Sequence, residues 1–146
     1  MHAVESDDGH KEWFINDRRH RDDDLPAIEW VDGTKEWYKH GQRHRDGDLP
    51  AYESTTHLIT KLWYKNGVIH RNGDLHAREN LDGSKEWYKN GLRYREGNLP
   101  AYEDAQRDVK MWYTNGVHTA TTHFGSLVYV SCSSSSGSSS GSSGTS

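Results

Sequence analysis

The amino-acid sequence predicts an all-β protein, an elongated single-layer antiparallel sheet of about five stacked β-hairpin repeats, each about 24 residues long. Three observations predict it. The phrase KEWYKHGQRHRDGDLPAYE at Lys35–Glu53 returns almost unchanged as KEWYKNGLRYREGNLPAYE at Lys85–Glu103. The dipeptides Asn-Gly and Asp-Gly, which favour the positive φ of tight hairpin turns, recur with the same period. No window has the apolar spacing of an amphipathic helix of useful length.

Tryptophan residues set the repeat frame, at intervals of 24, 26, 24 and 25 residues: Trp13, Trp37, Trp63, Trp87 and Trp112. We assign the repeat array to residues 1–130, with a C-terminal capping strand in 119–130. The repeats lie near 8–30, 31–53, 54–79, 80–103 and 104–118. Residues 131–146, with eleven Ser and three Gly, are interpreted as a disordered or extended low-complexity tail.

Each repeat is interpreted as two strands joined by a turn. In TKEWYK, strand alternation places Trp37 on one face and both Glu36 and Tyr38 on the other. The second strand is expected to begin near each Leu-Pro, because proline is best tolerated where a strand starts. A third short strand through Arg43–Arg45 is an alternative to a looping approach.

The predicted core is thin and aromatic. Hydrophobic residues make up 32% of the chain and the mean hydropathy is −1.06, yet the chain has six Trp and eight Tyr. Because one hairpin alone buries little surface, neighbouring repeats are expected to stack and to align their side chains in columns. The Trp column is expected to pack beside a Leu column and an Ala column: Leu25, Leu49, Leu75, Leu99, Ala27, Ala51, Ala77 and Ala101.

Arginine recurs once per repeat, at Arg21, Arg45, Arg71 and Arg95, near recurring carboxylates at Asp24, Asp48, Asp74, Glu29, Glu53, Glu79 and Glu103. The favoured interpretation is an interleaved salt-bridge ladder that fixes the strand register. A ligand-binding groove is the alternative.

A second aromatic series consists of Tyr38, Tyr52, Tyr64, Tyr88 and Tyr102. Such a row suits stacking on sugar rings or on another sheet, since aromatic faces present a large flat surface. The simpler interpretation is that these rings cover the back of the single-layer sheet.

Recurring histidines at His20, His44 and His70 are the strongest candidates for a metal site. Each is followed by Arg, which repels a cation, and no HxxxH or HExxH element accompanies them, so we expect no metal and no other cofactor. The acidic runs Asp22–Asp24 and Asp46–Asp48 lack the rest of a calcium loop and are interpreted as turn formers. Because every candidate acid, base or ligand occurs in several copies, the sequence favours a non-enzyme.

Composition argues against several partners. The formal net charge is −4, and each Arg has carboxylates nearby that would compete with phosphate, so nucleic acid is not expected. No stretch reaches the roughly 18 apolar residues that suggest a transmembrane helix, and the N-terminus has no signal-peptide pattern. Cys132 is the single cysteine, which leaves no internal disulfide.

The pattern EWYKNG…R…G…AYE…DG, over roughly residues 8–116, resembles the membrane-occupation-and-recognition-nexus (MORN) repeat. It is most similar to the MORN-like WYxNGxxHRDGDLPA variants common in giant DNA viruses, and it is related to bacterial antitoxin-like repeat proteins. The resemblance implies an elongated sheet that serves as a scaffold or binding surface, in the cytoplasm or associated with a virion. The His-Arg-Asp block replaces a Gly-rich one, so lipid binding is not carried over.

Together these patterns predict a non-catalytic scaffold for protein–protein interaction or self-assembly, as a homo-oligomer, a filament or another structural component. The alternative is a glycan- or ligand-binding module that uses the tyrosine row.

Overall fold

The computed structural model describes residues 1–130, so the predicted tail at 131–146 and Cys132 lie outside the described residues. The predicted fold class is confirmed: the described chain is all-β and antiparallel, and it contains no helix. Thirteen of its strands form one sheet that does not close, and three further pairs form separate hairpins.

The strands are short, mostly of two to five residues. In chain order they are β1 (His2–Glu5), β2 (Lys11–Ile15), β3 (Arg18–Arg19), β4 (Ile28–Glu29), β5 (Lys35–Glu36), β6 (Tyr38–Lys39), β7 (Gln42–Arg43), β8 (Tyr52–Glu53), β9 (Ile59–Leu62), β10 (Tyr64–Lys65), β11 (Val68–Ile69), β12 (Arg78–Asn80), β13 (Lys85–Glu86), β14 (Tyr88–Lys89), β15 (Leu92–Arg93), β16 (Tyr102–Asp104), β17 (Val109–Thr114), β18 (Val117–His123) and β19 (Ser126–Val130).

The long sheet is a meander in the order β1-β2-β4-β5-β8-β9-β12-β13-β16-β17-β18-β19, with β3 paired to β2. Each central repeat gives two strands to this sheet and folds the chain between them into a small hairpin. The second sheet strand begins at Tyr52, two residues beyond Pro50, and the third short strand, β7, ends before His44.

The tryptophan of each central repeat marks the point where the chain passes from the long sheet into the hairpin. The Trp37 N–H donates to the Ala51 carbonyl (2.8 Å), and the Trp37 carbonyl accepts from the His44 N–H (3.1 Å). In each central repeat one tryptophan thus joins both ladders.

Successive hairpins are stacked by a backbone hydrogen bond from each turn. The turn residues His40 and Gly41 have φ of 49° and 86°, the left-handed region that Asn-Gly and similar pairs adopt most readily. This turn directs the Gly41 N–H to the Arg19 carbonyl of the preceding hairpin (2.8 Å). Gly67, Gly91 and Gly116 donate in the same way to the carbonyls of Arg43, Ile69 and Arg93.

The core consists mainly of indole rings and small residues, with Ile28 and Leu62 added. Trp37, Trp63 and Trp87 are only 5–6% exposed, and the four alanines of the Ala column are fully buried. The expected Leu column is not part of this core, because Leu25, Leu49, Leu75 and Leu99 are each 41–44% exposed. The intervening loop ends at this leucine and turns its side chain outward, whereas the next residue is a buried proline in three of the four repeats and His76 in the other.

The C-terminal end differs from the repeats. Residues 119–130 form the second part of β18 and all of β19, with Ala120 opposite Val130 and His123 opposite Ser126. All five residues of β19 are exposed. No helix within residues 1–130 has the length and hydropathy needed to cross a bilayer.

Candidate interaction face

The guanidinium groups of the recurring arginines lie over the rings of the recurring tryptophans. The Arg45 guanidinium carbon is 3.8 Å from the centre of the Trp37 ring, a cation–π contact within one repeat. The same contact joins Arg21 to Trp13 (3.6 Å), Arg71 to Trp63 (4.1 Å) and Arg95 to Trp87 (3.8 Å). These guanidinium groups therefore cover one side of the indole row.

Each of the last three arginines also reaches back across the repeat boundary to an aspartate. Arg45 donates from Nε and Nη2 to the two carboxylate oxygens of Asp24, at 2.8 and 3.0 Å. The hydrogen bond from Arg45 lowers the pKa of Asp24 below its ordinary value. Arg71 pairs with Asp48 and Arg95 with Asp74 in the same two-pronged geometry. Arg21, in the first repeat, pairs instead with Glu29 at 2.9 Å.

The backbone carbonyl of two of these aspartates accepts a hydrogen bond from the indole N–H of the following repeat. The Trp37 Nε1–H donates to the Asp24 carbonyl (3.0 Å), as Trp63 does to Asp48 (3.1 Å). Asp24 and Asp48 have φ of 55° and 56°, a conformation that Asp and Asn tolerate better than most residues. Trp112 donates likewise to the Asn98 carbonyl, and Asn98 has a φ of 56°.

Trp87 is the exception in this row. Its indole N–H is buried and has no hydrogen-bond partner. The equivalent acceptor would be the carbonyl of Asp74, and Asp74 does not have the positive φ of its counterparts. A buried donor without a partner costs about 1–3 kcal/mol, so this repeat boundary is weaker than its neighbours.

The recurring histidines also bridge repeats. His44 Nδ1 accepts the backbone N–H of Asn66 in the next turn (3.1 Å), and His44 Nε2 lies 2.8 Å from Asp46 Oδ1. An acceptor nitrogen carries no proton, so this geometry assigns the proton to Nε2. His20 and His70 make the same contacts, to the N–H of His40 and Asn90 and to Asp22 and Asn72. Within residues 1–130 no three His, Cys, Asp or Glu side chains are grouped to hold a metal ion.

A second set of ion pairs lies on the hairpins. Glu36, only 4% exposed, accepts from Arg43 at 2.5 and 3.0 Å, and Glu86 binds Arg93 in the same way. Burial lowers the pKa of Arg43 and the Glu36 carboxylate raises it, and the net direction is upward. The sequence analysis missed these pairs. The signal was present, because a Glu directly before the Trp and an Arg six residues after that Trp recur in the sequence.

Repeat 54–79 replaces this pair as a unit. Leu62 stands at the Glu36 position and Ile69 at the Arg43 position, and Leu62 is 8% exposed. A buried carboxylate and its guanidinium are therefore exchanged together for two aliphatic side chains. A single buried charge without its partner would be costly, and the joint replacement avoids it.

The tyrosine row is divided between two environments. Tyr38, Tyr64 and Tyr88 lie on the hairpins, where arginine side chains approach their rings: Arg43 is 5.9 Å from Tyr38 and 5.4 Å from Tyr64. Burial raises the pKa of Tyr38 and of Tyr88. Tyr52 and Tyr102 lie on the long sheet, and the Tyr52 hydroxyl is 2.6 Å from His57 Nδ1. All five rings are half-buried.

The repeats form a loop face, which we define as the loops His20–Leu25, His44–Leu49, His70–Leu75 and Tyr94–Leu99. An open groove lies between successive loops. It is lined by the indole, by the arginine–aspartate pair that joins the two repeats (the arginine clamp), by an outward leucine and by a lysine of the hairpin. Three grooves of this kind follow one another along the sheet. The loop face is periodic, charged and shallow.

The fold and this face define the class: an antiparallel β-hairpin repeat protein whose repeats are joined by arginine clamps. No protein-family model, curated protein or solved structure matches the chain.

Proposed function

We propose that this protein is a non-catalytic repeat scaffold for protein–protein interaction, self-association included. The observation that carries the proposal is that the recurring polar residues bind neighbouring repeats to one another. Arg45, Arg71 and Arg95 each bind an aspartate of the preceding repeat, and His44 and His70 each bind the backbone of the following repeat, in nearly identical geometry. Side chains used in this way hold a surface rigid.

A catalytic interpretation fits this arrangement less well. A nucleophile or general base acts through a nitrogen or oxygen that is free to reach the substrate. In His44 both ring nitrogens are engaged, one by Asn66 and one by Asp46, and His20 and His70 are held in the same way. The grooves are also open, whereas small-molecule sites are concave and bury most of the ligand.

The loop face has the features of a binding surface for an extended protein segment. Its four leucines are 41–44% exposed and recur once per repeat. Lys39, Lys65 and Lys89 line the three grooves beside them. Evenly spaced apolar contacts flanked by charges suit a partner that runs along the sheet and places a side chain in each groove.

A capture experiment with matched variants tests the proposal. Leu49 and Leu75 are both changed to glutamate on the loop face, and the control carries the same two changes at exposed Leu58 and Leu81, outside that face. Proteins retained from extract by the immobilised chain are identified, purified and titrated by calorimetry. We expect a partner that binds the parent and the control and binds the loop-face variant at least tenfold more weakly. Equal binding of the partner to both variants would overturn the proposal. So would a parent chain that binds no protein, whether it is a single chain or an oligomer.

A further inference from the structure

The C-terminal hairpin has a composition unlike the rest of the chain. Residues 117–130 contain no Asp, Glu, Lys or Arg, although these residues make up 27% of the whole sequence. The segment is instead rich in Val, Thr and aromatic residues, which favour strands. A charge-free strand at the end of a sheet is the kind that pairs with another strand.

The last strand, β19, presents these residues openly. It is the terminal strand of the sheet order, it pairs with β18 on one side, and no strand within residues 1–130 pairs with its other side. Leu127 is 61% exposed, Val128 59%, Tyr129 50% and Val130 53%. Within residues 1–130, nothing covers either face of the strand or its outer backbone edge.

The opposite end of the sheet is protected by charge. The edge strand β1 reads His-Ala-Val-Glu, ends at Glu5 and is followed by Asp7 and Asp8. Pairing β19 with β1 would bring the Glu5 carboxylate to a strand that offers it no basic side chain. Head-to-tail pairing of β19 with β1 is therefore disfavoured.

We infer that β19 is a homodimer interface, at which two copies of this chain pair their β19 strands antiparallel about a two-fold axis. An uncharged strand is complementary to itself, because no like charges meet across the axis. The residues that follow, 131–146, carry no apolar side chain other than Cys132 that would serve as an alternative cover. This inference rests on the proposed scaffold function and gives its self-association a specific surface.

The two-fold arrangement has a defined consequence. Because an isologous contact uses β19 on both copies, it closes at two subunits and forms no filament. The long sheets of the two copies become continuous, and the loop face occurs twice in the assembly.

Paired edge variants test the interface. Leu127 and Val128 are both changed to lysine in β19, and the matched control changes Ala3 and Val4 to lysine in β1, whose residues are also exposed. Molar mass is measured by size-exclusion chromatography with light scattering over a range of concentrations, and thermal melts check that both variants fold. We expect about twice the 16.7 kDa chain mass for the parent and the β1 variant, and the single-chain mass for the β19 variant.

Three results would overturn the inference: a parent that is monomeric at high concentration, loss of association in both variants, or association that survives in the β19 variant. A monomeric parent that still binds a partner through the loop face would reject the dimer and leave the scaffold function standing. Loss in both variants would indicate head-to-tail pairing.

Discussion

Arg71 and Asp48 belong to different repeats and form a two-pronged ion pair, with Nε–Oδ1 at 2.9 Å and Nη2–Oδ2 at 3.2 Å. The same arginine lies on Trp63, and the carbonyl of the same aspartate accepts the Trp63 indole N–H. Three residues are thereby joined in a closed set of contacts across one repeat boundary. We regard this set as the unit that makes the hairpins interdependent.

The pairing across the boundary is tested by a double-mutant cycle. Asp48→Ala and Arg71→Ala are combined, and unfolding in urea is followed by fluorescence. We expect a coupling free energy of about 1 kcal/mol, at the upper end for partly exposed pairs because the geometry is bidentate. Asp74, in the same repeat as Arg71, pairs with Arg95 instead and provides the control. Coupling of Arg71 to Asp74 as large as that to Asp48 would contradict the cross-repeat assignment.

The buried hairpin pair is tested by copying the natural exchange found in repeat 54–79. Arg43→Ile alone is expected to cost about 3 kcal/mol of unfolding free energy, because it leaves the buried Glu36 carboxylate without its guanidinium. Adding Glu36→Leu is expected to recover most of that loss, since Leu62 and Ile69 already occupy the equivalent positions. A double variant less stable than Arg43→Ile would show that the exchange is not a unit.

His76 stands where the other repeats have a buried proline, and its ring lies edge-on to Trp63 (5.4 Å) and Trp87 (5.8 Å). His76→Pro is expected to raise the unfolding free energy by about 0.5–1 kcal/mol, because proline restricts the unfolded chain and fits the backbone at this position in the other repeats. A loss of stability would contradict the equivalence of the four positions.

The same substitution has a predicted pH dependence. Burial lowers the pKa of His76 below 6.5, with Glu79 acting in the opposite direction. The folded state therefore binds fewer protons than the unfolded state, and the parent loses stability as the pH falls below about 6.5. The stability gained by His76→Pro should thus be larger at pH 5 than at pH 8. Thermal melts of the parent and the variant at both pH values measure this gain. A gain that does not change with pH would show that burial does not lower the pKa of His76.

The unpaired indole of Trp87 gives a comparison between two nearly identical sites. Trp63 and Trp87 are both 6% exposed and both lie under an arginine, yet Trp63 alone donates a hydrogen bond from its indole. Trp63→Phe should therefore cost about 1 kcal/mol more than Trp87→Phe. Equal losses in urea unfolding would mean that the indole hydrogen bonds contribute nothing measurable.

The sequence predicts the repeat frame well, because turn dipeptides and a period-2 strand are local signals. It also predicts that Arg45 meets a carboxylate, but spacing alone does not distinguish Asp48 of the same repeat from Asp24 of the preceding one. The choice depends on how the loops stack. The outward direction of Leu49 could not be predicted either, since it depends on the conformation of the whole loop that precedes it. The burial of Glu36 required knowledge of its partner, Arg43.

The central claim is that the hairpins are stable only through contact with their neighbours across the indole row. Trp63→Ala tests it most directly, with urea and thermal unfolding as the readouts and the half-buried terminal Trp112→Ala as the comparison. We predict a loss of about 3–5 kcal/mol for Trp63→Ala, enough to unfold much of an array of ordinary stability, and a smaller loss for Trp112→Ala. A melting temperature lowered by only about a degree or two for Trp63→Ala, far less than such a loss implies, would contradict the account.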